Sequence, residues 1–147
     1  MPADGATVAA EARLWIGTPW HHQARLRSVG VDCGGLVVGV ARDLGLPLDD
    51  YPPGYGRHPD GRSLRAWIEA RFTRIAAMEE GAMPLMEFTP GLPQHVGIVT
   101  RLAGGWGLVH AWAQLRRVVE HPITDDWTAR ICRDGAGPLV YRLPGIV

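Results

Sequence analysis

The chain has 147 residues, 46% of them hydrophobic, and its 15 basic and 15 acidic side chains give a formal net charge of zero. That describes one soluble domain over residues 1–147 and excludes an electrostatic nucleic-acid binder, which needs a basic surplus to displace counterions. Lys and Asn are absent and serine occurs only at Ser28 and Ser63, outside any G-x-S-x-G elbow, which excludes Schiff-base and Walker-loop chemistry, a Cys-His-Asn triad and the usual serine hydrolase.

In chain order, Asp4 is placed to cap a first helix running through Thr7 to Trp15, which stops before Gly17-Thr18-Pro19. This opening segment carries Asp4 and Glu11 without a basic n-region, and the longest apolar run, Gly34 to Ala41, is too short for a bilayer. The expectation is therefore synthesis in the cytoplasm without a signal peptide, no membrane partner, and two cysteines held as free thiols. A second helix follows an Asp32 cap, with Leu36, Val37, Val40, Ala41 and Leu44 on one face and Gly45 as its stop. Leu46 to Pro59 is a loop rich in Pro, Gly and Tyr, and a third helix after Asp60 carries Leu64, Trp67, Ile68 and Phe72 on its apolar stripe.

Beyond about residue 82 the periodicity changes to two. Short strands are expected over Leu85 to Phe88, His95 to Arg101, Trp106 to Ala111, Leu115 to Glu120 and Leu139 to Arg142, with a helical turn at Thr124 to Trp127. Helices followed by strands describe an α+β domain, its N-terminal helices packed on an antiparallel β-sheet.

Within this frame, Val31-Asp32-Cys33-Gly34-Gly35-Leu36 sets a thiol at the first position of a helix. The free N–H groups and positive dipole end there favour a thiolate and can also receive an oxyanion, while Gly34 and Gly35 keep the turn free of side-chain bulk. The same segment also fits a small buried residue opening a core helix. Alternation puts His95, Gly97 and Val99 on one face of their strand, and His110 shares a face with Leu108 on the next. With Leu102 to Gly105 as the connection, Arg101 opposes Trp106 and Gly97 opposes His110, so His95 and His110 are diagonal neighbours on one face. The roles this allows are Cys33 as nucleophile, His95 as proton acceptor and donor, and His110 as the group that orients the His95 ring. Cys33, His95 and His110 with His21 or His22 are also metal-ligating types, but neither H-E-x-x-H nor paired C-x-x-C is present, so no metal and no cofactor are expected.

Asp32-Cys33-Gly34-Gly35-Leu36, His95-Val96-Gly97-Ile98-Val99 and Leu108-Val109-His110-Ala111 resemble the motifs of the NlpC-type cell-wall cysteine peptidases. Upstream, Trp15 to Gln23 is similar to the segment before the nucleophile in the phage-tail and gene-transfer-agent branch, and the resemblance spans Ala12 to Arg142. It implies a papain-like α+β fold and hydrolysis of a peptide bond in the peptidoglycan stem peptide, commonly the γ-D-glutamyl to diaminopimelate link. It also implies Cys33, His95 and His110 as catalytic residues, with Trp20, His22, Asp32 and Gly34 around the substrate. Phage-tail or gene-transfer-agent proteins are the implied partners, and such a particle is the implied location. Two departures stand out: Gly34 occupies a position where many members have Ser, and the Gly-Asp pair before the catalytic His strand is missing. A non-catalytic tail-assembly or wall-binding module on the same fold is the alternative.

Overall fold

The computed structural model describes residues 3–50 and 60–147. Asp4 starts the first helix, α1 (Gly5–Arg13), by accepting a hydrogen bond from the Thr7 N–H at 2.9 Å. The helix closes two residues earlier than the sequence pattern predicts, and turns carry the chain on to Gly17, whose φ of +90° is a left-handed value suited to glycine. A short hairpin, β1 (Arg25–Leu26) and β2 (Gly30–Val31), which the sequence reading did not anticipate, leads straight into α2 (Cys33–Asp43). Gly45, at φ +68°, follows the end of α2 as expected.

Of the Leu46–Pro59 loop, residues 51–59 lie outside the described residues. The third helix, α3 (Ser63–Glu69), begins where Asp60 accepts from the N–H groups of Arg62 and Ser63, both at 2.8 Å. Phe72 lies past its end, reaching the core from the following turn rather than from the helix stripe.

The strands are β3 (Thr73–Ile75), β4 (Met83–Met86), β5 (His95–Val96), β6 (Ile98–Leu102), β7 (Gly105–Trp112), β8 (Arg117–Pro122), β9 (Arg133–Asp134), β10 (Gly137–Pro138) and β11 (Val140–Arg142), with α4 (Asp125–Thr128) between β8 and β9. They pair antiparallel in the orders β3-β11-β4-β5 and β6-β7-β8, apart from the small β9-β10 hairpin. Val99 links the two sheets, donating to the Ala82 carbonyl and accepting from the Gly81 N–H at 2.8 Å each. The expected strand from His95 to Arg101 is thus present but divided at Gly97. A Cβ there would lie 2.8 Å from Leu108 Cδ1 and 2.9 Å from both His110 Cβ and the Val109 carbonyl oxygen, so only glycine lets β7 approach this closely.

The β6–β7 hairpin has the expected register, with Arg101 opposite Trp106. Leu102 also pairs with Gly105, so the connection is a two-residue turn at Ala103 and Gly104, tighter than the four-residue loop predicted.

Both faces of the sheets are covered. Leu36, Val37 and Val40 of α2, with Val8, Ala12 and Trp15, pack on Leu85, Val96, Ile98, Val109 and Ala111. On the opposite side Met86, Val99, Leu108 and Val140 form a second cluster under Trp106, Ile123 and Trp127. The alternation that sends Val96 and Ile98 to the helices therefore leaves His95, Gly97 and Val99 on the other face.

Candidate active site

Asp32 organises the start of α2. It is 4% exposed, its Oδ1 accepts from the Gly35 N–H at 2.8 Å and from Arg25 Nη1 at 2.9 Å, and its Oδ2 accepts from the Gln23 N–H at 2.8 Å. The β2 strand fixes the approach, since Val31 donates to the Pro19 carbonyl and accepts from the His21 N–H at 2.9 Å each. Cys33 is consequently held as the first residue of α2, partly exposed on the wall of a cleft of about 580 Å³. The backbone N–H groups of Val96 and Gly34 favour the ionised form of its sulfur.

The two glycines after Cys33 differ in role. A Cβ on Gly34 would meet nothing within 4 Å, as expected for a position left open to a ligand. A Cβ on Gly35 would run into the Ala24 carbonyl and come within 2.7 Å of Arg25 Nη1 and 2.9 Å of Asp32 Oδ1. Gly35 is thus a packing requirement of the Asp32 network, not a means of clearing the cleft.

His95 lines the same cleft from the start of β5, is 5% exposed, and lies with its ring 5.0 Å from that of Phe88. Its Nε2 is 2.7 Å from Nδ1 of His110, which is fully buried on β7. The diagonal pairing inferred from the hairpin is what the structure contains. A further residue extends it: His110 Nε2 is 2.8 Å from Nε2 of His121, and His121 Nδ1 donates to the Pro122 carbonyl at 2.8 Å.

His121 faces Leu108 across β7–β8 while His110 faces Val119, so the two histidines are again diagonal neighbours. The sequence reading ended that strand at Glu120 and missed it. The usable signal was the alternation Arg117, Val119, His121. Trp112 stacks 5.5 Å from His110, and Trp127, delivered by α4, sits 5.0 Å from His110 and 4.7 Å from His121.

Electrostatics correct one expectation. Burial, with the Asp32 charge adding to it, pushes the Cys33 thiol up to about 11, outweighing the backbone N–H groups of Val96 and Gly34. Burial likewise lowers His95 to about 3 and His110 to about 2, the neighbouring imidazoles reinforcing the latter. These shifts favour a thiol at Cys33 and neutral imidazoles at His95 and His110 at neutral pH, against the thiolate that the helix N-terminus alone favours.

The remaining expected contacts are on the cleft wall. Trp20, His22, Asp32 and Gly34 all line it, with the Trp20 and His22 rings stacked at 6.5 Å. His21 turns its Nδ1 toward the His22 carbonyl, at 3.1 Å. Opposite, Leu64, Trp67 and Ile68 of α3 and Trp112 supply apolar surface. Cys132 is buried away from this group, its sulfur 3.8 Å from Glu87. Among the described residues no set of three or more His, Cys, Asp or Glu side chains is arranged to hold a metal ion; His95, His110 and His121 bond to one another in a line instead of converging.

No family model matches the chain, and no curated protein matches it. Solved structures do. The NlpC/p60 domain of the peptidoglycan hydrolase SagA superposes with a TM-score of 0.60 at 22% identity, over 96% of this chain and 100% of that one. The fold is that of the NlpC/p60 domains. An NlpC/p60 family protein from Bacillus cereus matches with a TM-score of 0.65 at 13% identity, over 99% of this chain. An N-acetylmuramoyl-L-alanine amidase from Bacteroides uniformis matches at 0.60 and 12%, over 95% of this chain and 98% of that one. The chain spans 41% of the length of the Bacillus cereus protein, so the NlpC/p60 fold is one part of that larger molecule. An NlpC/p60 fold also accounts for the order of the parts here, a helix that begins at Cys33 followed by strands that carry His95 and His110.

Proposed function

We propose that the protein is a cysteine peptidase that hydrolyses peptide bonds in peptidoglycan stem peptides, with the γ-D-glutamyl to diaminopimelate link as its target. The observation that carries this reading is that Cys33 and His95 line one cleft, with the fully buried His110 bonded to the His95 ring from behind at 2.7 Å. The structural neighbours include a peptidoglycan hydrolase and a muramoyl-alanine amidase, both wall-directed.

In this mechanism the substrate carbonyl settles against the first turn of α2. The Cys33 thiol proton passes to His95 as the sulfur attacks, and the backbone N–H groups at the start of the helix receive the oxyanion. His95 then returns the proton to the leaving amine, and water hydrolyses the thioester with His95 again acting as base. His110 holds the His95 ring and steadies its charged form. The apolar wall formed by Trp20, Trp67 and Trp112 packs the backbone of the stem peptide, and Arg25 and Asp32 supply charge at its polar end. Delivery in a phage tail or gene-transfer-agent particle is part of the proposal, on the strength of the segment Trp15 to Gln23. It requires the protein to be found in purified particles.

The test is incubation of purified peptidoglycan and defined muropeptides with the protein and with Cys33→Ala, followed by mass spectrometry. New amine termini that disappear with Cys33→Ala are expected. Intact muropeptides that remain bound to both proteins would overturn the peptidase reading in favour of a wall-binding module.

A further inference from the structure

We infer that His121 is a positioning residue that fixes which nitrogen of His95 can accept a proton, acting through His110. The inference rests on the peptidase reading for its catalytic meaning, but its structural content stands on hydrogen-bond geometry among neutral imidazoles.

The chain of contacts is His95 Nε2 to His110 Nδ1 at 2.7 Å, His110 Nε2 to His121 Nε2 at 2.8 Å, and His121 Nδ1 to the Pro122 carbonyl at 2.8 Å. A backbone carbonyl can only accept, so His121 Nδ1 carries a hydrogen. With His121 in its neutral form, which has one donor and one acceptor nitrogen, Nε2 is bare and accepts from His110 Nε2–H. His110 Nδ1 is then bare and accepts from His95 Nε2–H. His95, neutral like its partner, is left with a bare Nδ1.

Because Nε2 is committed to His110, Nδ1 is the ring nitrogen available to the cleft and to the Cys33 thiol. A single carbonyl at the end of β8 thus sets three tautomers in sequence and leaves the base in its proton-accepting form. The proton taken from Cys33 occupies Nδ1, while the Nε2–H bond to His110 persists in both states of His95. Burial of His110, and the indole rings of Trp112 and Trp127 against the pair, restrict the partners these nitrogens can choose.

Reversal of the end group should reverse the relay. In His121→Gln the amide oxygen can accept from His110 while the amide nitrogen donates to Pro122, preserving the sense of every bond. In His121→Arg only donors remain, so His110 Nε2 must become the acceptor, His110 Nδ1–H must donate to His95, and the His95 hydrogen must move to Nδ1.

Long-range 1H–15N spectra of the protein labelled at histidine distinguish bare from protonated ring nitrogens. The wild type and His121→Gln should show His95 Nδ1 bare and Nε2 protonated, and His121→Arg should show the opposite. With muropeptide substrate, kcat of His121→Arg should fall by about a hundredfold, the scale of a lost general base, with KM little changed, and His121→Gln should restore most of it. Wild-type His95 protonated at Nδ1, or a His121→Arg pattern identical to wild type, would overturn the inference. If the expected tautomers are seen but no Cys33-dependent cleavage occurs, the peptidase reading fails while the relay stands.

Discussion

At the residue scale, Cys33 shows that position and environment exert opposite effects on one side chain. The first turn of a helix pulls a thiol toward ionisation. Burial in the cleft and the neighbouring Asp32 charge push it the other way, and they win, taking it up to about 11. Ionisation must therefore be coupled to attack, the proton leaving for His95 when the substrate is in place. The expected outcome is that iodoacetamide alkylates Cys33 of the free protein at pH 7 no faster than it alkylates a small model thiol. The rate should keep climbing with pH past the ordinary thiol value of 9.0 instead of levelling below it. A fast, pH-independent plateau below neutrality would mean a resting thiolate–imidazolium pair and would contradict the neutral site. The thiol was legible in the sequence because its cap and glycines are local. Its ionisation was not, because the burial that controls it comes from tertiary packing, in which Cys33 lies against a core built by residues distant in sequence.

At the scale of elements, the start of α2 separates two adjacent glycines that look equivalent in the sequence. Gly35→Ala should lower the melting temperature, because its methyl would meet the fixed Ala24 carbonyl and the Asp32–Arg25 pair, at a cost of about 1–3 kcal/mol for overpacking. Gly34→Ser should leave the melting temperature unchanged or raise it slightly, since open space receives the side chain and the unfolded chain loses freedom. Thermal melts of the two variants check this, and equal losses would contradict the assignment of Gly35 to packing. The same contrast explains what the sequence pattern could and could not deliver. Caps at Asp4 and Asp32, the stop at Gly45, and the β6–β7 register came from local rules that the structure obeys. The β1–β2 hairpin and β3 were missed because two- and three-residue strands carry too little alternation to read; they form through partners elsewhere, β3 through β11. His121 was lost for a related reason, since a strand boundary placed two residues early, at Glu120 instead of Pro122, removed it from the face it shares with His110.

At the scale of the whole molecule, the buried site ties folding stability to pH. His95 and His110 are both lowered from an ordinary value of 6.5, to about 3 and about 2. In the unfolded chain they take up protons as pH falls below about 6.5, whereas the folded protein does not, so acid favours unfolding. Each imidazole contributes a slope of up to about 1.4 kcal/mol per pH unit over the window between its unfolded and folded values. On the alkaline side the sign reverses in origin but not in effect. Cys33 and Cys132 are both raised from 9.0 to about 11, so the unfolded chain releases their protons first and stability declines as pH rises through that interval. The stability curve should therefore be flat between about pH 6.5 and 9 and fall on both sides. The acid decline should begin well above the carboxylate range, with an ordinary Glu value of 4.5 as its marker. Urea denaturation at closely spaced pH values measures this directly. A free energy of unfolding that stays constant from about pH 7 down to about 5 would show that the two imidazoles accept protons in the folded state, and would remove the neutral relay on which the orientation of His95 depends.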